Sequence, residues 1–136
     1  MEKISELFHQ LEKIGIDIRG DHITKTLYST DASIYQIEPH GVAFPATLDQ
    51  LIASVELAAD HEIPILARGA GSSLAGQAIG EALILDCSRY LDKIHEIHVG
   101  RDGEGSWAVV EPGVIMSELN RRAMINGLQF GPDPAS

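Results

Sequence analysis

The stretch Arg68-Gly69-Ala70-Gly71-Ser72-Ser73-Leu74-Ala75-Gly76-Gln77 follows the apolar run Ile63-Pro64-Ile65-Leu66. Glycine has no Cβ, so backbone N–H groups in such a run can come close to an anion. Arg68 and the hydroxyls of Ser72 and Ser73 add side-chain donors. Spacing alone leaves two readings: a phosphate cradle, or a loop that only turns the chain between strands.

The flanking sequence supplies the frame. Val42-Ala43-Phe44-Pro45 reads as a strand. Thr47-Leu48-Asp49-Gln50 then forms a capping box, in which the Thr47 hydroxyl accepts from the Gln50 N–H and the Gln50 side chain reaches back. Leu51, Ile52, Val55, Ala58 and Ala59 carry the helical face to about His61. The next strand is 63–66. A third, Ala82-Leu83-Ile84-Leu85-Asp86, is apolar enough to be buried on both faces. Strand, helix and strand make a βαβ unit with parallel strands.

Upstream, Ile4, Leu7, Phe8, Leu11 and Ile14 recur at helical spacing over 2–14, and Gly15 closes the helix. The segment 17–41 is polar and irregular, with a short helix near 24–28. Downstream of Cys87, strands at 94–99 and 106–111 flank a glycine-rich turn, which signals a β-hairpin. A helix over 116–126 ends on Gly127. The fold class is therefore α+β: a small parallel βαβ subdomain, then a mainly antiparallel one. The expected divisions are 1–41, 42–90 and 91–136.

Two common phosphate loops fail on this sequence. A dinucleotide fingerprint needs G-x-G-x-x-G, and Leu74 stands at the third glycine position. Gly76 and Gly80 would also weaken a helix there, by about 1 kcal/mol each relative to alanine. A P-loop needs lysine and Ser/Thr after its last glycine, and Gln77 and Ala78 stand there instead.

Composition narrows the partners. The 136 residues, 44% hydrophobic, form one domain or a piece of a larger one. With 20 acidic and 10 basic side chains the net charge is −10, which argues against nucleic acid or an anionic membrane. Cys87 is the only cysteine, and neither a signal peptide nor a transmembrane run is visible, so a reducing, cytoplasmic setting is expected. Cys87 itself reads as a buried, inert thiol. Trp107, on a strand, reads as a core residue by default, with a ring packed against a cofactor as the alternative. His95 and His98, three apart on a strand, fall on opposite faces, and His61-Glu62 lacks the second histidine of H-E-x-x-H. No metal site is expected. Arg121-Arg122 is too short for a nucleic-acid patch and reads as an exposed helical face.

The glycine loop resembles the pyrophosphate loop of FAD-linked oxidoreductases with the vanillyl-alcohol-oxidase/p-cresol-methylhydroxylase (PCMH) type FAD-binding domain. The branch it is most similar to holds the D-lactate, glycolate and D-2-hydroxyglutarate dehydrogenases. Tyr28-Ser29-Thr30-Asp31-Ala32-Ser33, Val42-Ala43-Phe44-Pro45-Ala46-Thr47, Leu85-Asp86-Cys87-Ser88-Arg89, Glu111-Pro112-Gly113-Val114 and Gly131-Pro132-Asp133-Pro134-Ala135-Ser136 resemble further family motifs, in order. The resemblance implies FAD lying across two subdomains. Arg68, Gly69, Ala70, Gly71, Ser72, Ser73, Gly76 and Gln77 would wrap the pyrophosphate, Pro45 would line the nucleotide site, and Pro132, Asp133 and Ser136 would run beside the flavin.

Some members attach FAD through a histidine in a G-x-G-H pattern. Ser72 stands there, which implies non-covalent FAD. The family continues beyond the P-D-P-x-S motif into a second flavin segment and a substrate domain. The resemblance therefore implies an amino-terminal FAD-binding portion of a dehydrogenase for a small D-2-hydroxy acid. On this reading the chain carries no catalytic residue, is inactive alone, and exposes apolar surface that favours a homodimer or a partly disordered tail, with FAD retained weakly or not at all. The alternative is a stand-alone phosphate-binding or interaction module of the same fold.

Overall fold

The computed structural model describes residues 2–101 and 104–132. Its first part is a four-stranded sheet in the order β1-β2-β4-β3. The strands are β1 (Asp17–Arg19), β2 (Gly41–Phe44), β3 (Ile65–Arg68) and β4 (Leu83–Asp86). β2 and β3 both run parallel to β4, and β1 is antiparallel to β2. The β2–helix–β3 connection thus brackets β4 instead of pairing its own strands. Burial explains this order: β4 is buried at every position, whereas β3 alternates between exposed and half-buried and sits at the sheet's edge.

Alternation along the strands builds two cores. Ala43, Leu83 and Leu85 face Leu7 and Leu11 of α1 (Glu2–Lys13) and Ala58 of α3 (Leu48–Asp60). Val42, Phe44 and Ile84 face the other way, toward Leu66 and Tyr28 at the end of α2 (His22–Tyr28). Each fully buried leucine contributes about 1.5–3 kcal/mol.

Several local expectations shift. β3 starts at Ile65, not Ile63. The Ile63 N–H is occupied by Ala58 O as α3 ends, and Pro64 has no N–H to give. Thr47 caps α3 as expected, accepting from the Gln50 N–H at 3.2 Å. The Gln50 side chain does not reach back to Thr47. Its Oε1 accepts from the Ala46 N–H at 2.8 Å, and its Nε2 donates to Gly15 O at 3.3 Å. It therefore ties α3 to the turn after α1. The 17–41 segment is more regular than its composition suggests. β1 lies there, and Asp21 caps α2 through the Thr24 N–H at 3.0 Å.

The second part is a hairpin of β5 (Ile94–His98) and β6 (Trp107–Val110), then α4 (Met116–Ala123). A short 3-10 turn, Met124–Asn126, extends α4 to Gly127, whose φ of 69° is left-handed. Trp107 is not a core residue. It is 46% exposed and stacks on His98 with ring centroids 4.9 Å apart. A small apolar cavity of about 90 Å³ separates the hairpin from α4, with Trp107, Leu119 and Phe130 in its wall. Arg121 and Arg122 lie on an exposed face as expected, and their hydrogen bonds hold the Glu118 carboxyl down to about 2. Among the described residues no helix is long and apolar enough to cross a membrane.

Candidate functional site

The three parallel strands end together. Register places Arg68 of β3 beside Asp86 of β4, and Ala43, just before the last residue of β2, beside Leu85. In open parallel sheets this end is where ligands gather, because loops there are free to diverge. Tyr28 is set into it from the end of α2. Its hydroxyl donates to Asp86 Oδ2 at 2.5 Å, its ring meets Phe44 edge-on at 6.0 Å, and the Arg68 guanidinium lies over its face at 5.0 Å. Asp86 is buried, and its other oxygen accepts from the Ser88 N–H at 2.8 Å and the Ser88 hydroxyl at 2.6 Å. An open cavity of about 410 Å³ runs past this cluster, walled in part by Arg19, Phe44 and Arg89.

Burial, then the bond to Asp86, pushes the Tyr28 hydroxyl up to about 12 from 10.0. The folded state keeps a proton that the unfolded chain releases near 10, so stability falls as pH rises from 10 toward 12. Solvent screening of a half-buried ring reduces the full effect to about 1 kcal/mol. Denaturation midpoints across this range should fall in the wild type, and Tyr28→Phe should flatten the fall. Cys87 is buried with its thiol pushed up, chiefly by burial and then by Asp86, so it stays protonated and unreactive.

The glycine loop leaves β3 from this end. Among the described residues, the six consecutive N–H groups of Gly69 to Leu74 have no hydrogen-bond acceptor within the chain. Most residues of the loop are exposed. Gly71 and Gly76 adopt left-handed φ values of 70° and 80°. Gly69 is different: a Cβ there would meet nothing within 4 Å. A cradle of free donors, open on the side that a side chain would fill, fits the phosphate groups of a cofactor.

The expected ligands separate within this cradle. The Ser72 hydroxyl has no partner among the described residues, whereas Ser73 is used inside the loop. Ser73 Oγ accepts from the Ala75 and Gln77 N–H groups and also contacts the Gln77 side chain. Arg68 is turned to carbonyls: Ala78 O and Thr30 O at 2.9 Å each, and Tyr28 O at 3.4 Å. Pro45 is fully buried, which leaves it no exposed surface to offer a ligand. Pro132 is exposed. Asp133 and Ser136 lie outside the described residues. The Tyr28–Asp86–Ser88 cluster escaped sequence reasoning, because its members are up to 60 positions apart and share no motif spacing.

His95 Nε2 lies 3.3 Å from Glu111 Oε1, and His98 Nε2 lies 3.4 Å from Glu104 Oε2 without forming a hydrogen bond to it. Among the described residues no group of three or more His, Cys, Asp or Glu side chains is placed to hold a metal ion.

A family described as FAD binding domain matches residues 39–136. This chain belongs to that family. The FAD-binding domain is of the PCMH type, and its fold is similar to that of p-cresol methylhydroxylase, with a TM-score of 0.69 and 22% identity over 93% of this chain and 25% of that one. It is 32% identical over 138 residues to D-2-hydroxyglutarate dehydrogenase of Escherichia coli (strain K12), covering 98% of this chain and 13% of that protein. It is 32% identical over 114 residues to glycolate oxidase subunit GlcD of Bacillus subtilis (strain 168), covering 82% of this chain and 23% of that subunit. The FAD-binding domain described here thus spans under a quarter of either relative.

Proposed function

We propose that this chain supplies the pyrophosphate-holding, amino-terminal part of the FAD site in a dehydrogenase that oxidises a small D-2-hydroxy acid, with FAD held non-covalently. The run of unpartnered N–H groups from Gly69 to Leu74 carries this reading. Backbone donors suit a diphosphate in a chain of net charge −10, because they bind anions without needing a positive field around them. Ser72, with its hydroxyl free, adds a donor where a covalently linked enzyme would need a nucleophilic ring nitrogen. When bound, the flavin supplies the two-electron acceptor for the hydroxyl-bearing carbon. The residues of this chain bind and orient it and carry out no proton transfer.

The substrate class rests on the relatives named for D-2-hydroxyglutarate and glycolate. The test uses the whole protein. Acid precipitation should release its flavin into the supernatant, and anaerobic addition of a D-2-hydroxy acid should bleach the flavin band, while the L-enantiomer should not. Flavin retained in the pellet would refute non-covalent binding. Equal bleaching by both enantiomers, or by neither, would refute the substrate class.

A further inference from the structure

The family match begins at residue 39, yet the glycine loop is fastened to residues before it. Arg68 donates to the carbonyls of Tyr28 and Thr30 on one side and of Ala78 on the other. Asp31 Oδ2 accepts from the Ala78 N–H at 3.3 Å, and its Oδ1 accepts from the Ser33 N–H at 2.8 Å. The Ala32 N–H donates to Gly71 O at 3.1 Å. The Tyr35 ring lies against Gly76, where an added Cβ would come within 3.1 Å. The upstream segment therefore touches the loop at its start, middle and end.

We propose that Asp31 and Arg68 are positioning residues for cofactor capture, tying both ends of the glycine loop to residues 28–35 so that its free N–H groups are arranged before a phosphate arrives. This rests on the FAD reading above. A loop rich in glycine samples many conformations unless it is tied down. Its apparent affinity falls with the fraction of time it spends in the binding shape. Arg68 acts through the loop because both of its terminal nitrogens already serve carbonyls. Asp31 cannot be a phosphate ligand, since its carboxylate would repel one. Its hydrogen bonds to Ser33 and Ala78, and the nearby Arg68 charge, keep it ionised by holding its carboxyl below the usual range.

The test compares Asp31→Ala, Asp31→Asn and Arg68→Lys in the whole protein. The apoprotein is titrated with FAD, and hydrogen exchange is followed at Ala32, whose N–H is held by Gly71 O of the loop. Asp31→Ala should weaken FAD binding about tenfold and speed exchange at Ala32, if the competent fraction drops to about a tenth. Asp31→Asn keeps an acceptor oxygen and should recover most of the affinity. Arg68→Lys keeps the charge, loses the fork and should also weaken binding about tenfold. Wild-type affinity in Asp31→Ala would overturn the proposal. Wild-type affinity in Arg68→Lys would do so too, because charge alone would then suffice. A wild type that binds no FAD overturns the cofactor reading and this proposal with it. That result comes from the wild type alone, so the two failures are distinguishable.

Discussion

In the whole protein, Gly69→Val is expected to abolish FAD retention and leave the melting temperature of the apoprotein nearly unchanged, whereas Gly71→Val is expected to lose FAD and lower the apoprotein's melting temperature as well. The two glycines lie two residues apart and differ physically. At Gly69 the side chain enters open space, so the fold tolerates it. That space is where a phosphate would have to approach the N–H groups. Losing two charge-assisted hydrogen bonds of about 1.5 kcal/mol each lowers affinity about a hundredfold. At Gly71 the φ of 70° is strained for a β-branched residue, and a Cβ would lie 2.5 Å from Arg68 Nη2. The guanidinium would have to leave its carbonyls, for a total cost of about 3 kcal/mol, or roughly 10 °C in Tm. Flavin absorbance per protein and a thermal melt of the apoproteins separate the two effects. Stoichiometric flavin in Gly69→Val would sink the placement of the pyrophosphate on this loop.

Much of this was legible in the sequence where a local pattern carried it. Thr47 as a cap, Gly127 after α4 and the unbroken apolar run of β4 each depend on a few adjacent residues. What stayed hidden depends on partners far along the chain. β1 offers only Ile18 as an apolar residue, and its pairing with β2 is backbone to backbone. The insertion of β4 between β2 and β3 follows from comparing burial between strands, which no single strand reveals. Arg68 was legible as a loop residue, but its acceptors are main-chain carbonyls, present at every residue and so without signature. The same limit applies to Trp107: a strand position does not tell which face is covered, and here the ring found His98.

Gly113→Ala is expected to be among the most destabilising single-methyl additions to this domain. The Gly113 N–H donates to Leu91 O at 2.7 Å, and a Cβ there would fall 2.3 Å from Cys87 O and 2.6 Å from Leu91 O. These are backbone atoms, so no flexible side chain can move aside. The turn is also laced to the β4–β5 connection through Glu111 N–H to Lys93 O and Lys93 N–H to Glu111 Oε2, each at 2.8 Å. The clash must therefore shift main chain, at about 2–4 kcal/mol, or roughly 10 °C in Tm. Gly105→Ala is the matched control, since its Cβ meets nothing within 4 Å, and it should change stability by under about 0.5 kcal/mol. Cys87 directly follows Asp86, so a shift at Cys87 O is transmitted to the carboxylate that holds the Tyr28 hydroxyl. Spectroscopic titration of Tyr28 in Gly113→Ala should therefore move back from about 12 toward 10.0. An unmoved titration together with a lowered Tm would show that the turn braces the hairpin alone. Movement of both would show that one backbone contact links the hairpin to the strand ends from which the cofactor loop departs.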